Sequence, residues 1–252
     1  MLLHGVPTWS YIYRSIIPVV ADAGYRVIAP DMAGFGKSDK PVDKTWHTLS
    51  NHVETFRDFI SSLNLNNIML FGQDWGSMIG LRLASDFPER FSGIIISNGG
   101  LPTGIEKIPL LFRIWKLFSI ITPDIMAGCV VNFGCLRKIT KSERAAYNLP
   151  FESRKSLAGP RSLPSRVPLL RNHPEAIKNR YAMERLAGWA KPFLTVFGDS
   201  DPLTRGWDRI LQNRIPGSSG KDHRVLKAGH FIQEDAPLDL AEIIITFMIK
   251  YL

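Results

Sequence analysis

Cysteine is nearly absent from this chain: two residues, Cys129 and Cys135, in 252. Their spacing matches no metal-ligand pattern, and no disulfide framework is built from so few thiols. They read as buried or inert thiols of a reducing compartment, which places the protein in the cytoplasm. Long apolar runs are also lacking. The longest, Ile108 to Phe133, is interrupted by Arg113, Lys116, Pro123 and Asp124, so no segment reads as a membrane span. Nothing reads as a signal peptide either, since Met1-Leu2-Leu3 runs straight into His4-Gly5. Low-complexity tracts and internal repeats are missing, and no basic run is interleaved with aromatics in the manner of a nucleic-acid binder. No cofactor and no metal are expected.

What the chain does have is apolar content of 45%, with 10% aromatics, enough for one large domain or a domain carrying an insertion. Its net charge of +8 is unevenly placed. Residues 101–190 hold 15 Lys and Arg against 6 Asp and Glu, a net +9, and the remainder holds 16 against 17, a net −1. The plain reading of that excess is a solvated helical surface. The sharper one is attraction of anions towards a pocket, or of acidic surfaces.

β-type and α-type runs alternate. Tyr25 to Pro30 reads as a short strand closed by proline. Thr48 to Leu63 is amphipathic at helical spacing, with Val53, Phe56, Phe59 and Ile60 on one face. Asn67 to Phe71 is a strand, Ser77 to Ala84 a helix, and Phe91 to Ser97 a buried parallel strand. From about Leu101 to Leu186 only helical segments and proline-rich connections follow. Alternation resumes at Pro192 to Phe197, and a last strand, His223 to Leu226, precedes a terminal helix, Leu238 to Lys250. This order predicts an α/β fold with a mostly parallel sheet. The core spans 1–100 and 187–252, and 101–186 forms an inserted helical cap over the strand ends, where such sheets bind ligands.

Between the second strand and its helix stands Gly72-Gln73-Asp74-Trp75-Gly76. A strand, a tight turn flanked by glycines and then a helix is the setting of a nucleophile elbow. Serine in that place suits acyl carbons and needs a base. An aspartate side chain is ionised at neutral pH and displaces a leaving group from a saturated carbon directly, through an ester. Three further pieces sit at strand ends. Phe197-Gly198-Asp199-Ser200-Asp201-Pro202 offers Asp201 as the acid of a triad, with Asp199 as a competitor. Ala228-Gly229-His230-Phe231 offers a loop histidine. His4-Gly5-Val6-Pro7 is a turn that leaves a backbone N–H free for an oxyanion. Nucleophile, acid and histidine in that order is the order of α/β hydrolases.

Taken together these segments resemble the haloalkane dehalogenase family of the α/β-hydrolase superfamily along nearly the whole chain. His4-Gly5-Val6-Pro7-Thr8-Trp9-Ser10-Tyr11 looks like the family's oxyanion segment. Gln73-Asp74-Trp75-Gly76 matches its nucleophile motif, where related epoxide hydrolases usually carry His before the Asp. Phe112-Arg113-Ile114-Trp115-Lys116 is similar to the segment that supplies a second halide-binding tryptophan in one subfamily. Ala145 to Phe151, Ala158-Gly159-Pro160-Arg161 and Gly229 to Glu234 match further landmarks. The resemblance implies a catalytic set of Asp74, Asp201 and His230, oxyanion donors at the backbone N–H groups of Val6 and Trp75, and halide donors in Trp75 and Trp115, with Phe112 lining the pocket. Trp115 also belongs to a helical stripe with Phe112 and Phe118, which by spacing alone is a core pattern. The substrate expected is a small haloalkane, or an epoxide, together with water, and the working unit a monomer. An epoxide hydrolase would share the triad and would need cap phenols, for which Tyr147 and Tyr181 are at hand.

Two departures accompany the match. Only Met1-Leu2-Leu3 stands where the family has two strands and most of a third, so the chain resembles the family without its N-terminal strands. That feature keeps open an inactive or truncated relative as a further reading. At Val6 many relatives carry a polar residue.

Overall fold

The structure, a computed structural model, describes residues 1–107, 109–122 and 124–252. Ile108 and Pro123, at the start and the break of the long apolar run, lie outside the described residues. In chain order the elements are β1 (Leu2–Leu3), α1 (Ile17–Asp22), α2 (Leu49–Ser62), β2 (Ile68–Gln73), α3 (Trp75–Asp86), β3 (Phe91–Ser97), α4 (Leu110–Ile121), α5 (Ala127–Gly134), α6 (Lys141–Asn148), α7 (Ala158–Arg166), α8 (Pro174–Leu186), β4 (Phe193–Gly198), α9 (Trp207–Arg214), β5 (Arg224–Leu226), α10 (Ile232–Asp235) and α11 (Pro237–Tyr251). No helix among them is long and apolar enough to cross a membrane.

The strands form one parallel sheet in chain order, β1-β2-β3-β4-β5. Successive residues of a strand point to opposite faces. Leu70, Ile94 and Ile96 therefore join one core with the apolar faces of α2 and α3, while Met69, Phe71, Ile95, Leu194 and Val196 join a second core with α11. Both faces are covered, which is why the run Ile94-Ile95-Ile96 is apolar without alternation. The α2 helix starts where Thr48 accepts the Asn51 N–H at its side chain, and it buries Val53, Phe56 and Ile60.

Residues Tyr25–Pro30 do not form the strand expected of them. Their link to the sheet is a hydrogen bond from the Leu2 N–H to the Ile28 carbonyl, 2.8 Å. A ladder needs repeated pairing, and β1 beside it is two residues long. Between β3 and β4 lie the five helices α4 to α8. Of these, α8 is clamped to α3 by Arg82, which bonds Glu175 at 3.2 Å and Asn179 at 3.0 Å among buried side chains.

Besides His230, three histidines are buried among the described residues: His4, His47 and His52. His4 accepts the Met32 N–H at Nε2 and directs Nδ1 to the Gly5 carbonyl, both at 2.9 Å, so its ring is neutral. His52 is fully buried with both ring nitrogens unpartnered, and it stacks on His47 with centroids 5.7 Å apart. Burial first, and then the neighbouring His47 and His4, bring the His52 pKa down to about 3. Its folded value lies below the unfolded one, so the stability it carries is complete above about pH 6.5 and is lost as pH falls towards 3. At pH 5 the loss from His52 is about 2 kcal/mol. His4 and His47 shift in the same direction. The raised pKa of His230 works in the opposite sense: its stabilisation is complete below about pH 6.5 and is lost as pH rises above that, so it offsets part of the His52 loss between pH 7 and pH 5. Urea unfolding at pH 7 and pH 5 measures the difference, and His52→Leu is expected to shrink it by about 2 kcal/mol. An undiminished difference in the variant would remove His52 from the account.

Candidate active site at the strand ends

The elbow is built by β2 and α3. Gln73 ends the strand, Trp75 opens the helix, and Asp74 between them has φ 52° and ψ −119°. Few non-glycine residues occupy this region, and holding one there costs on the order of 1–3 kcal/mol. The surroundings hold it: the Asp74 N–H donates to the Asn98 carbonyl at 3.1 Å, and the Asp74 carbonyl accepts from the Ser77 N–H at 3.0 Å and the Ser77 hydroxyl at 2.6 Å. Ser77 is therefore engaged below the turn, away from any nucleophilic role. The flanking glycines permit close approach. A Cβ on Gly72 would stand 2.7 Å from the Gly76 carbonyl oxygen, and one on Gly76 would stand 2.1 Å from that of Leu3.

Around Asp74 the other strand-end segments converge. The Val6 N–H donates to Asp74 Oδ1 at 2.8 Å. His230 Nε2 lies 3.6 Å from Asp74 Oδ2, and His230 Nδ1 lies 3.0 Å from Asp201 Oδ2. Asp201 also accepts the Leu203 N–H at 2.9 Å and the Thr204 hydroxyl. Asp199, the competing acid, is exposed and occupied with Ser200. Trp75, as the first residue of α3, has an N–H with no helical acceptor. Burial opposes charge on His230, yet the carboxylates of Asp201 and Asp74 outweigh it and raise its pKa to about 10. Burial likewise opposes charge on Asp201, but His230, Thr204 and Leu203 hold it below the usual carboxylate range.

A cavity of about 490 Å³ opens above these groups. Asp74, Trp75, Phe112, Trp115, Val6 and His230 all line it. Trp115 both faces the cavity and stacks on Phe118 with centroids 5.9 Å apart, so the helical stripe and the pocket wall are one surface. The two phenols named for an epoxide reaction lie elsewhere. Tyr147 is buried and donates to Glu234, Tyr181 is exposed on α8, and no tyrosine lines the cavity among the described residues. One cysteine departs from expectation: Cys129 is exposed at the cavity rim, because α5 turns that side outward, while Cys135 is half-buried.

No motif marks Asn98, Arg14, Arg137 or Glu143 as supports of the site, and the sequence shows Gln73, Tyr147 and Glu234 as motif members without their partners. Asn98 joins three segments: its amide donates to the Gly229 and His230 carbonyls at 2.7 and 2.9 Å, and its Oδ1 accepts the Gly198 N–H at 2.8 Å. Its place directly after a buried strand, on the elbow's side of the sheet, was a usable signal. Gln73 donates to the His230 carbonyl at 3.1 Å. Behind His230, Glu234 gathers Arg14 from the core and Arg137 and Tyr147 from the helical block, and Glu143 closes the network. The His230 N–H bonds the Gly134 carbonyl at 2.7 Å, so the histidine loop is pinned from the block side as well.

The chain matches the family model for the alpha/beta hydrolase fold over residues 1–237. It is 44% identical to a haloalkane dehalogenase of Mycobacterium marinum over 247 residues, which covers 98% of this chain and 83% of that protein. A haloalkane dehalogenase of Psychrobacter cryohalolentis is 43% identical over 249 residues, with 98% and 82% covered. Among solved structures, the tetrameric haloalkane dehalogenase DpaA of Paraglaciecola agarilytica superposes with a TM-score of 0.89 at 31% identity, covering 96% of this chain and 81% of that one.

Proposed function

The chain belongs to the haloalkane dehalogenases of the α/β-hydrolase fold, and on that premise we propose how its residues cleave a carbon–halogen bond. Oδ1 of Asp74 is held by the Val6 N–H, so Oδ2 is the oxygen that attacks. Its bond to the substrate carbon forms as the carbon–halogen bond breaks, and the bonding pair leaves on the halide. An indole N–H donates and does not accept, so Trp75 and Trp115, both on the cavity wall, suit the departing anion.

Water completes the cycle. In the free enzyme His230 is cationic, because two carboxylates flank it. Alkylation of Asp74 removes one of those charges and lowers the His230 pKa, so the Nε2 proton leaves to solvent with the halide and Nε2 becomes a base once the ester exists. Water attacks Cγ of Asp74 and gives its proton to Nε2, while Asp201 fixes the tautomer and stabilises the imidazolium. The oxyanion on Oδ1 is met by the N–H groups of Val6 and Trp75. Collapse expels the alkoxide, which takes the proton from His230. The Asp74 carboxylic acid left behind passes its own proton to Nε2, restoring the carboxylate, now with one oxygen of water, and the cationic His230.

In this reading residues 101–186 act as the cap, residues 1–100 and 187–252 as the core, and a single chain in a reducing cytoplasm is the working unit, since every reacting group comes from one copy. The observation that carries it is the convergence of His230 on Asp74 and Asp201 beneath an apolar cavity with two indoles on its wall. An epoxide hydrolase is disfavoured, because its phenols are off the cavity wall. Hydrolysis of a haloalkane in heavy-oxygen water under single-turnover conditions tests the route. The label is expected in Asp74, with none in the alcohol. Label in the alcohol alone would rule out the covalent ester.

A further inference from the structure

We propose that the outer face of α4 is a docking surface for an anionic lipid bilayer. The helix Leu-Leu-Phe-Arg-Ile-Trp-Lys-Leu-Phe-Ser-Ile-Ile contains no acidic residue. Its inner side is used, since Phe112 and Trp115 line the cavity. Its outer side carries a second apolar stripe, Leu110, Ile114, Leu117 and Ile121, at helical spacing. These residues are 72%, 55%, 58% and 66% exposed. A surface helix normally turns polar residues outward, and one that is apolar all round is covered by something.

The rim of the stripe indicates what that cover is. Arg113 is exposed on the same helix, Lys107 precedes it, and Arg161 of α7 bonds the Ile120 carbonyl at 3.2 Å. Asp124, the acid that follows the helix, is paired with Arg154 at 3.0 Å. The stretch 101–190, of which α4 is one of five helices, carries a net +9, so its surface as a whole is basic. A second copy packed by two-fold symmetry would set this basic rim against itself. An anionic bilayer complements both features: apolar side chains enter the headgroup boundary and cations meet the lipid charge.

The placement bears on substrate access. Ile114, Phe118 and Phe133 line the cavity and are themselves exposed, so the cavity opens within this face. This consequence rests on the carbon–halogen reading above: haloalkanes partition into hydrocarbon, and a docked chain would draw them from the bilayer.

The test is flotation of the purified chain with vesicles of phosphatidylglycerol and phosphatidylcholine in equal parts, beside vesicles of phosphatidylcholine alone, at about 0.1 M salt. Binding to the anionic vesicles is expected to be about tenfold stronger or more. The double variant Leu117→Glu and Ile121→Glu is expected to lose about tenfold or more of it, with halide release from a water-soluble haloalkane and the thermal midpoint little changed, because neither residue lines the cavity. A wild-type chain that stays in the aqueous fraction overturns the proposal, and so does a double variant that floats equally well. A wild-type dimer that the double variant converts to monomer, without vesicle binding, also overturns it and assigns the stripe to a second copy. A chain inert towards haloalkanes that still floats with anionic vesicles supports the docking and removes the dehalogenase reading instead.

Discussion

His230→Gln is expected to release one equivalent of halide and then stop. The first displacement needs only the Asp74 carboxylate and the halide donors, and both remain. The second needs a base 3.6 Å from Asp74, and glutamine is not one. Steady-state turnover is expected to fall by about 10⁴-fold or more, as for the loss of an essential triad member. Glutamine is chosen because its amide still offers a donor to Asp201. Removing that partner outright would leave a buried carboxylate uncompensated, at about 3–5 kcal/mol. Rapid-quench halide measurement gives the burst, and intact-protein mass gives the alkyl group held on Asp74. Two results would defeat the assignment: a folded variant that shows no burst, or one that releases alcohol over many cycles at the parent rate.

Gly76→Ala is expected to damage the fold and the site together. The added Cβ would stand 2.1 Å from the Leu3 carbonyl oxygen, 2.5 Å from the Leu3 carbonyl carbon and 2.8 Å from the His4 carbonyl oxygen. All three neighbours are backbone, so no rotamer change relieves the contact. Either α3 or the segment after β1 must move, and close-packed interiors yield little. The expected cost is about 3 kcal/mol or more, a fall of about 6–12 °C in Tm for a chain of this size. The displaced segment carries Val6, so the hydrogen bond to Asp74 Oδ1 goes with it and activity falls beyond the stability loss. Gly188→Ala is the control. Its Cβ would be 3.4 Å from the Arg185 carbonyl oxygen, an ordinary contact, and its effect is expected to stay under about 1 kcal/mol. Equal midpoints for the two variants would show that the backbone at the elbow adapts.

The legible parts of the molecule were those coded locally. Phe91–Ser97 was readable as a strand because both of its faces are buried and its β-branched run is continuous. The glycines around Asp74 were readable because an elbow leaves no room for side chains at its flanks. Tyr25–Pro30 looked like a strand for the same local reasons, yet it lacks a ladder, because pairing is a property of two segments and not of one. Asn98 and Glu234 were passed over for a related reason. Asn98 stands in no motif, Glu234 only closes the Gly229–Glu234 segment, and each bonds partners more than 80 positions away in the chain. The outer stripe of α4 hid within a run that spacing alone assigns to core, since periodicity shows which positions are apolar and not which of two apolar faces is covered.

By itself, then, the sequence determined the alternation of strands and helices, the aspartate at the elbow proposed as nucleophile and the chain order of the proposed triad, because these follow from backbone preferences and residue chemistry over a few positions. The tertiary structure decided the rest. It put Asp201 rather than Asp199 on His230 Nδ1, aimed the Val6 N–H at Asp74 Oδ1, took both tyrosine phenols away from the cavity and left one side of α4 bare. Those outcomes depend on distances between segments far apart in the chain, and such distances arise only when the two faces of the sheet are packed.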